Sequence, residues 1–173
     1  MSGNAVVELD LSDDDVARAV HRVGLRAYAV EAALLGSTAI PALSETWQEM
    51  RARPLRWLGT HVAGVPVAFA AWSRVDGVLD IARLCVDPAH FRRGLGRALV
   101  SAVLAGGGPA TVSTGAANAP AIALYEGAGF RRVGTVEVAP GLLLAEFARP
   151  ATGAHPEVEK RGRSRTGTVR EGL

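Results

Sequence analysis

VDPAHFRRGLGRALVSAVL, residues 86–104, joins a short apolar run to an apolar helical stretch through three arginines and two glycines. A helix start leaves about four N–H groups without intrahelical partners and carries partial positive charge. Glycines at 94 and 96 let another backbone or a ligand come close, and Arg92, Arg93 and Arg97 add cationic charge. The junction suits a phosphorylated ligand. It is equally compatible with a tight strand-to-helix turn edged by surface arginines. Two phosphate motifs are excluded. A P-loop needs GxxxxGK[ST], and no lysine stands here; a dinucleotide fingerprint needs a third glycine where Leu99 stands.

The chain of 173 residues fits one domain. Hydrophobic residues make up 49% and aromatics only 5%, so the core must rest mainly on Ala, Val and Leu. Residues 151–173 hold five basic and three acidic residues, which accounts for the whole net charge of +2. Residues 1–150 are therefore formally neutral, which argues against nucleic-acid binding by the domain. The basic run KRGRSRTG (160–167) has no aromatics on which bases could stack. From about Pro150 onward aliphatic residues nearly vanish, so 150–173 reads as a disordered basic tail behind a domain of residues 1–149. Cys85 is the sole cysteine, so no intrachain disulfide can form and a reducing compartment is compatible. The start has neither a basic n-region nor an apolar h-region, and no run approaches the ~20 apolar residues of a spanning helix. These features predict a soluble cytoplasmic protein with no membrane partner.

Along the chain, AVVELDL reads as a strand and SDDDVARAVHRVGLRAYAVEAALLG as a helix capped by Ser12, with a break or kink at Gly24. SETWQEMRAR is a short helix capped by Ser44. LRWLGTHVAGVPVAFAAWS is two strands meeting near Gly64, and GVLDIARLCVDP is a third. Residues 94–105 are helical, with Leu95, Leu99, Ala102 and Val103 on one face. ATVSTG is a strand, and NAPAIALYEGAG is a helix capped by Asn118 with Pro120 in its first turn. FRRVGTVEVAPGLLLAEFAR is a hairpin turning at Pro140–Gly141. Mixing of strand-only stretches with βαβ units predicts an α/β or α+β domain with a mixed sheet.

The second signal is NAPAIALYEGAGF, residues 118–130. Ala121, Leu124, Tyr125 and Ala128 share one helical stripe, which turns Tyr125 inward with a hydroxyl that needs a partner. That pattern serves core packing or catalysis. Together, VDPAHFRRGLGRAL and NAPAIALYEGAGF resemble motifs A and B of the GNAT superfamily of acyl-CoA-dependent N-acetyltransferases. The likeness spans roughly residues 5–149 and is most specific over 79–130. One departure is Phe91, where the family usually has Gln or Arg.

The resemblance implies the GNAT fold: a mixed, mostly antiparallel twisted sheet of about seven strands, flanked by four helices and splayed between its two central strands. It implies acetyl-CoA as co-substrate, direct transfer in a ternary complex to the primary amine of an unidentified acceptor, and no metal. It also implies that the backbone of Phe91, Arg92, Arg93, Gly94, Leu95, Gly96 and Arg97 meets the CoA diphosphate. Leu84, Cys85 and Val86 would pair with the pantetheine arm, and Asn118, Ala121 and Tyr125 would touch it from the second helix. Tyr125 falls on the family's general-acid tyrosine, the N–H near Leu84 on its oxyanion donor, and Asp80 on a strand carboxylate that serves some members as base. Asp80 has an alternative reading as an exposed strand residue. Among the other candidates, His90 reads as a solvent-exposed loop residue, His61 as structural or surface, and His21 has no visible partner. Glu31 and Glu49 could bind a cationic amine or be solvated. Cys85 reads as a small core residue. A non-catalytic acyl-CoA-binding regulatory module on the same fold is the competing reading. Family members often dimerise, so a homodimer is an option. The acceptor carries no motif that can be decoded.

Overall fold

The computed structural model of the protein describes residues 5–152; the tail expected to be disordered lies outside the described residues from 153 onward. The elements run β1 (Val7–Glu8), α1 (Asp14–Leu35), α2 (Trp47–Arg51), β2 (Arg56–Val62), β3 (Val65–Val75), β4 (Val78–Val86), α3 (Leu95–Leu104), β5 (Ala110–Gly115), α4 (Ala119–Gly127), β6 (Arg131–Ala139) and β7 (Leu142–Arg149). Short 3₁₀ turns lie at Pro41–Leu43 and Pro88–His90.

Local chemistry explains most of these boundaries. The α1 cap is Asp13, one residue beyond Ser12: its carboxylate accepts from the N–H groups of Asp15 and Val16. Gly24 does not break the helix, which runs continuously from Asp14 to Leu35 and passes Phe69 of β3 at this point. Helix α2 starts at Thr46 and not Ser44. Thr46 and Glu49 form a reciprocal capping box, which satisfies two N–H groups that Ser44 could not reach. Asn118 caps α4 as its sequence predicts, accepting from the Ala121 N–H at 3.2 Å.

The seven strands form one sheet in the order β1-β2-β3-β4-β5-β7-β6. Every neighbouring pair is antiparallel except β4–β5. On one face, α3 and α4 pack Leu95, Leu99, Val103 and Tyr125 onto Leu79, Ile81, Val112 and Phe147. On the other, α1 packs Ala17, Val20 and Val23 with Trp57, Phe69 and Cys85. This is the mixed, mostly antiparallel sheet with four helices that the sequence predicts.

The parallel pair β4–β5 is short. Its register covers Leu79–Ala110, Asp80–Thr111 and Ile81–Val112, and then stops, although β4 continues to Val86 and β5 to Gly115. On the opposite edge β4 stays paired with β3 through Val86, but with a bulge. Ala71 faces Arg83 while Trp72 faces Ile81, so Ala82 is the extra residue. The bulge reverses which residues point which way. Asp87 donates to the Val67 carbonyl at 2.8 Å, so alternation assigns the backbone groups of Arg83 and Cys85 to β3. Those of Leu84 and Val86 point into the gap beside β5. Ala116 donates to the Leu143 carbonyl at 2.8 Å, and the same alternation turns the Gly115 N–H from β7 towards that gap.

A buried ion cluster fastens the loop before α2 to this region of β4. Arg83 grips Glu45 with two hydrogen bonds, 2.6 and 3.0 Å, and Arg53 adds a third at 2.5 Å. The Arg83 and Glu45 side chains are only 10% and 6% exposed. His21, which the sequence left without a partner, contacts the Glu45 carbonyl at 2.7 Å. Burial pushes the Glu45 carboxyl up, but hydrogen bonds from Arg83 and Arg53 outweigh it and hold the group below its ordinary range. Arg83→Ala should lose about 3 kcal/mol of stability in urea unfolding, because it strands a buried carboxylate; the joint replacement Arg83→Met with Glu45→Leu should lose less. The depressed carboxyl also implies stability that is present above its unfolded value and lost as pH falls through the lower folded value. Acid melts of the protein and of the joint variant check this.

Candidate active site

The gap between β4 and β5 leads directly to the start of α3. Between them, Pro88–His90 makes a 3₁₀ turn capped by Asp87, whose Oδ1 accepts from the Ala89 N–H at 3.0 Å. Asp87 also binds Arg26 of α1 through Oδ2, at 2.8 and 2.5 Å, which ties the loop to the opposite helix. Burial raises the Asp87 carboxyl, but the Ala89 N–H and the Arg26 guanidinium hold it below its ordinary range. His90 is not the solvated loop residue expected. It is half-buried, and its Nδ1 is enclosed with no hydrogen-bond partner among the described residues.

After this turn the backbone adopts left-handed geometry twice, at Arg92 (φ 61°) and Gly94 (φ 75°). For arginine this costs about 1–2 kcal/mol. Gly94 is the α3 N-cap and offers no capping side chain. Among the described residues, the N–H groups from Arg92 through Arg97 find no acceptor. The side chains of Arg92, Arg93 and Arg97 are exposed and pair with no carboxylate among the described residues. A row of free N–H groups at a helix start, edged by free guanidinium groups, has the chemistry of an oxyanion receptor. Phe91 is 46% exposed and brings no polar group.

The two glycines do different things. A side chain at Gly94 would meet nothing within 4 Å, so that position is open to an approaching ligand. At Gly96 a Cβ would stand 2.9 Å from Leu124 Cδ1. Gly96 thus leaves room for the tip of the Leu124 side chain, which reaches α3 from α4 beside the gap. Leu95 is buried beneath the helix and contributes its N–H only.

Tyr125 comes from α4 and is 4% exposed, in edge-on contact with Phe130 at 5.8 Å between ring centroids. Its hydroxyl has no hydrogen-bond partner among the described residues. Burial raises its phenol well above the ordinary value, and nearby Cys85 and Glu31 raise it further. Asn118 and Ala121 stand at the start of the same helix. Cys85 is fully buried on the α1 face, where burial pushes its thiol up to about 12; it is an inert core residue, as expected. Leu84 and Val86 turn their side chains to the α3 face, near Gly96.

Asp80 lies apart. It sits in the part of β4 still paired with β5, where its carboxylate accepts from the Thr111 hydroxyl at 2.7 Å. Four strand steps, about 13 Å, separate it from Leu84. Glu49 is committed to its capping box and stays exposed. Glu31 of α1 is different. Burial raises its carboxyl above the ordinary range, partly offset by hydrogen bonding from the Asn118 side chain and the Gly115 N–H. Asn118 and Gly115 both edge the gap, and their nearness to Glu31 links elements far apart in the chain, so spacing alone could not single it out.

Trp57 is core, whereas Trp47 is half-buried between the guanidinium groups of Arg18 and Arg51, each 4.8 Å from the ring centre. Among the described residues, no group of three or more His, Cys, Asp or Glu side chains could hold a metal, and no helix is long and apolar enough to cross a membrane.

Residues 56–132 match the family model of the acetyltransferase (GNAT) domain, which spans β2 through the start of β6. The ribosomal-protein-S18-alanine N-acetyltransferase from Escherichia coli superposes with a TM-score of 0.67 at 23% identity, covering 90% of this chain and 99% of that one. The yncA protein from Salmonella typhimurium, solved with acetyl-CoA, gives 0.67 at 20% identity, covering 91% and 99%. At these identities the likeness is one of fold, and it matches the GNAT fold expected. The UPF0157 protein YqkA of Bacillus subtilis (strain 168) is 36% identical over 135 residues, or 76% of this chain. The chain spans 39% of that relative's length.

The packing role of Gly96 has a direct check. Gly96→Val should cost about 1–3 kcal/mol by overpacking against Leu124. Adding Leu124→Ala should recover part of that loss, so a double-mutant cycle in urea should show a favourable coupling between the two changes.

Proposed function

Since the chain carries a GNAT acetyltransferase domain, we propose that it transfers the acetyl group of acetyl-CoA to a primary amine, directly within a ternary complex. The observation that carries this reading is continuity. The free N–H row from Arg92 to Arg97 runs into a strand gap whose far wall holds the unpartnered Tyr125 hydroxyl. A diphosphate on the N–H row would direct a linear arm into the gap. There the free backbone groups of Leu84 and Val86 offer the arm strand-like pairing beside the buried Cys85, with Asn118 and Ala121 at the opposite edge. Arg92, Arg93 and Arg97 add charge for the remaining phosphate.

When bound, acetyl-CoA supplies an activated thioester. The Leu84 N–H, directed into the gap, would stabilise oxyanion charge on the thioester carbonyl. Tyr125 stays protonated through neutral pH, because its phenol is raised, and would hand its proton to the departing sulfur. Asp80 is too far along β4 to touch an amine at Leu84 and would act only through water.

The hydrogen bond from Thr111 that occupies Asp80 also favours a second reading, a non-catalytic acyl-CoA-binding module with the same cofactor site. Both readings expect thermal stabilisation by acetyl-CoA. Ligand at 100 times Kd adds ~2.7 kcal/mol, or roughly 5–10 °C in Tm for a domain of this size. Only the enzyme releases CoA thiol when amines are supplied. Tyr125→Phe should then lower kcat by ~10²-fold while leaving the acetyl-CoA shift in place. An unchanged rate would remove the tyrosine from the chemistry, and absence of any shift would remove the cofactor.

A further inference from the structure

We propose that Glu31 is the group that receives the acceptor: a carboxylate reaching across the mouth of the β4–β5 gap that binds the acceptor as an ammonium ion and takes its proton. This rests on the acetyl-transfer reading above.

The argument begins with the path of α1. At Gly24 the helix lies against Phe69 of β3, and at Leu35 it lies against Gly115, where any side chain would collide with Leu35. Between those contacts α1 crosses β4 and then the gap. Tyr28 and Glu31 are three residues apart, on the helix face between Gly24 and Leu35, and so lie over the crossing. Leu35, one turn beyond Glu31 on the same face, lies directly on Gly115, whose N–H alternation turns into the gap, so Glu31 stands beside that opening. It therefore stands on the face opposite α3 and α4, where an acceptor can approach without displacing the phosphate end of the cofactor.

Charge is the second part. The other acidic groups with substantial burial have cations: Glu45 has Arg83 and Arg53, and Asp87 has Arg26. Glu31 makes no ion pair among the described residues. The titratable groups around it are Tyr28 on its own helix, Cys85 on β4 and Tyr125 on α4, none of them cationic. A partly buried carboxylate without a cation is unfavourable unless something outside the fold supplies one. A protonated primary amine does so.

The step balances with groups already named. The ammonium N–H bond breaks and its proton goes to a Glu31 oxygen. The freed lone pair forms the N–C bond at the thioester carbonyl and the C–S bond breaks. The sulfur takes the Tyr125 proton, and the second amine proton leaves to solvent as the amide forms. Raised affinity of Glu31 for a proton suits it to this duty.

The test uses Glu31→Gln in the full chain, with three readouts. The first is the acetyl-CoA thermal shift, which should match the parent protein. The second is CoA release with a panel of primary amines (propylamine, alaninamide, spermidine) beside hydroxylamine, which is uncharged at neutral pH. The variant should lose ~10²-fold in kcat/KM for the amines and keep hydroxylamine turnover within a few-fold. The third is stability. A residue kept for structure would lower Tm when changed, whereas removing an unpaired carboxylate should raise it by ~2–4 °C at neutral pH. The sign follows from the raised carboxyl: its cost is present above the unfolded value and vanishes below it, where both states are protonated, so the gain should disappear in acid. Unchanged amine turnover in the variant, equal losses on amines and hydroxylamine, a fall in Tm, or a parent protein that turns over hydroxylamine but no amine would each overturn the role of Glu31. If the parent protein shows no acetyl-CoA shift, or a shift without turnover of either nucleophile, it is the acetyl-transfer reading that fails.

Discussion

Everything distinctive about this protein depends on β4 and β5 parting after three paired residues. Two parallel strands that stayed together would satisfy each other's backbone groups and close the sheet. Here pairing stops at Ile81 and Val112, and the bulge at Ala82 turns the free groups of Leu84 and Val86 into the opening. Exposed strand edges invite pairing with another extended chain. Inside a domain, flanked by helices on both faces, such an edge accepts only something narrow and linear.

The parting needs supports that do not pass through the missing hydrogen bonds. On one face Gly96 admits the tip of Leu124 from α4, the helix that also carries the buried Tyr125. On the other, α1 spans from Phe69 to Gly115 and is held by Arg26–Asp87 at the loop. The cluster around Glu45 fixes the segment before α2 to β4 at Arg83, the residue between the bulge and Leu84. Cations therefore concentrate where carboxylates hold the frame together. Glu31 is left without one among the described residues. Unfavourable burial beside a strand gap is an arrangement that folding alone does not reward.

The similarity to solved acetyltransferases at 20–23% identity extends over nearly the whole described chain, yet it is a likeness of backbone. One backbone supports many functions, because side chains can change on a fold whose main chain is kept. A main-chain feature tolerates sequence change: Phe91 is exposed and brings no polar group, yet the N–H groups that follow it keep no acceptor among the described residues.

Local features were legible in the sequence because their causes are local. The Asn118 cap, the inward stripe that buries Tyr125 and the Pro140–Gly141 turn follow from residues within one helical or hairpin turn. Caps displaced by one or two residues, Asp13 for Ser12 and Thr46 for Ser44, show how finely neighbouring oxygens compete for the same N–H groups. Register was not legible. A bulge reverses the inward and outward alternation of a strand, and only the partner strand shows where it falls, so the direction of the Leu84 and Val86 backbone groups could not be read beforehand. The partner of His21, the enclosed nitrogen of His90 and the position of Glu31 likewise depend on elements that meet only after folding. Residue type and short-range spacing determined the glycine–arginine junction before α3 and the inward turn of Tyr125, whereas tertiary contact decided where Glu31 lies and which carboxylates find a cation, because charge pairing and burial depend on distance in space.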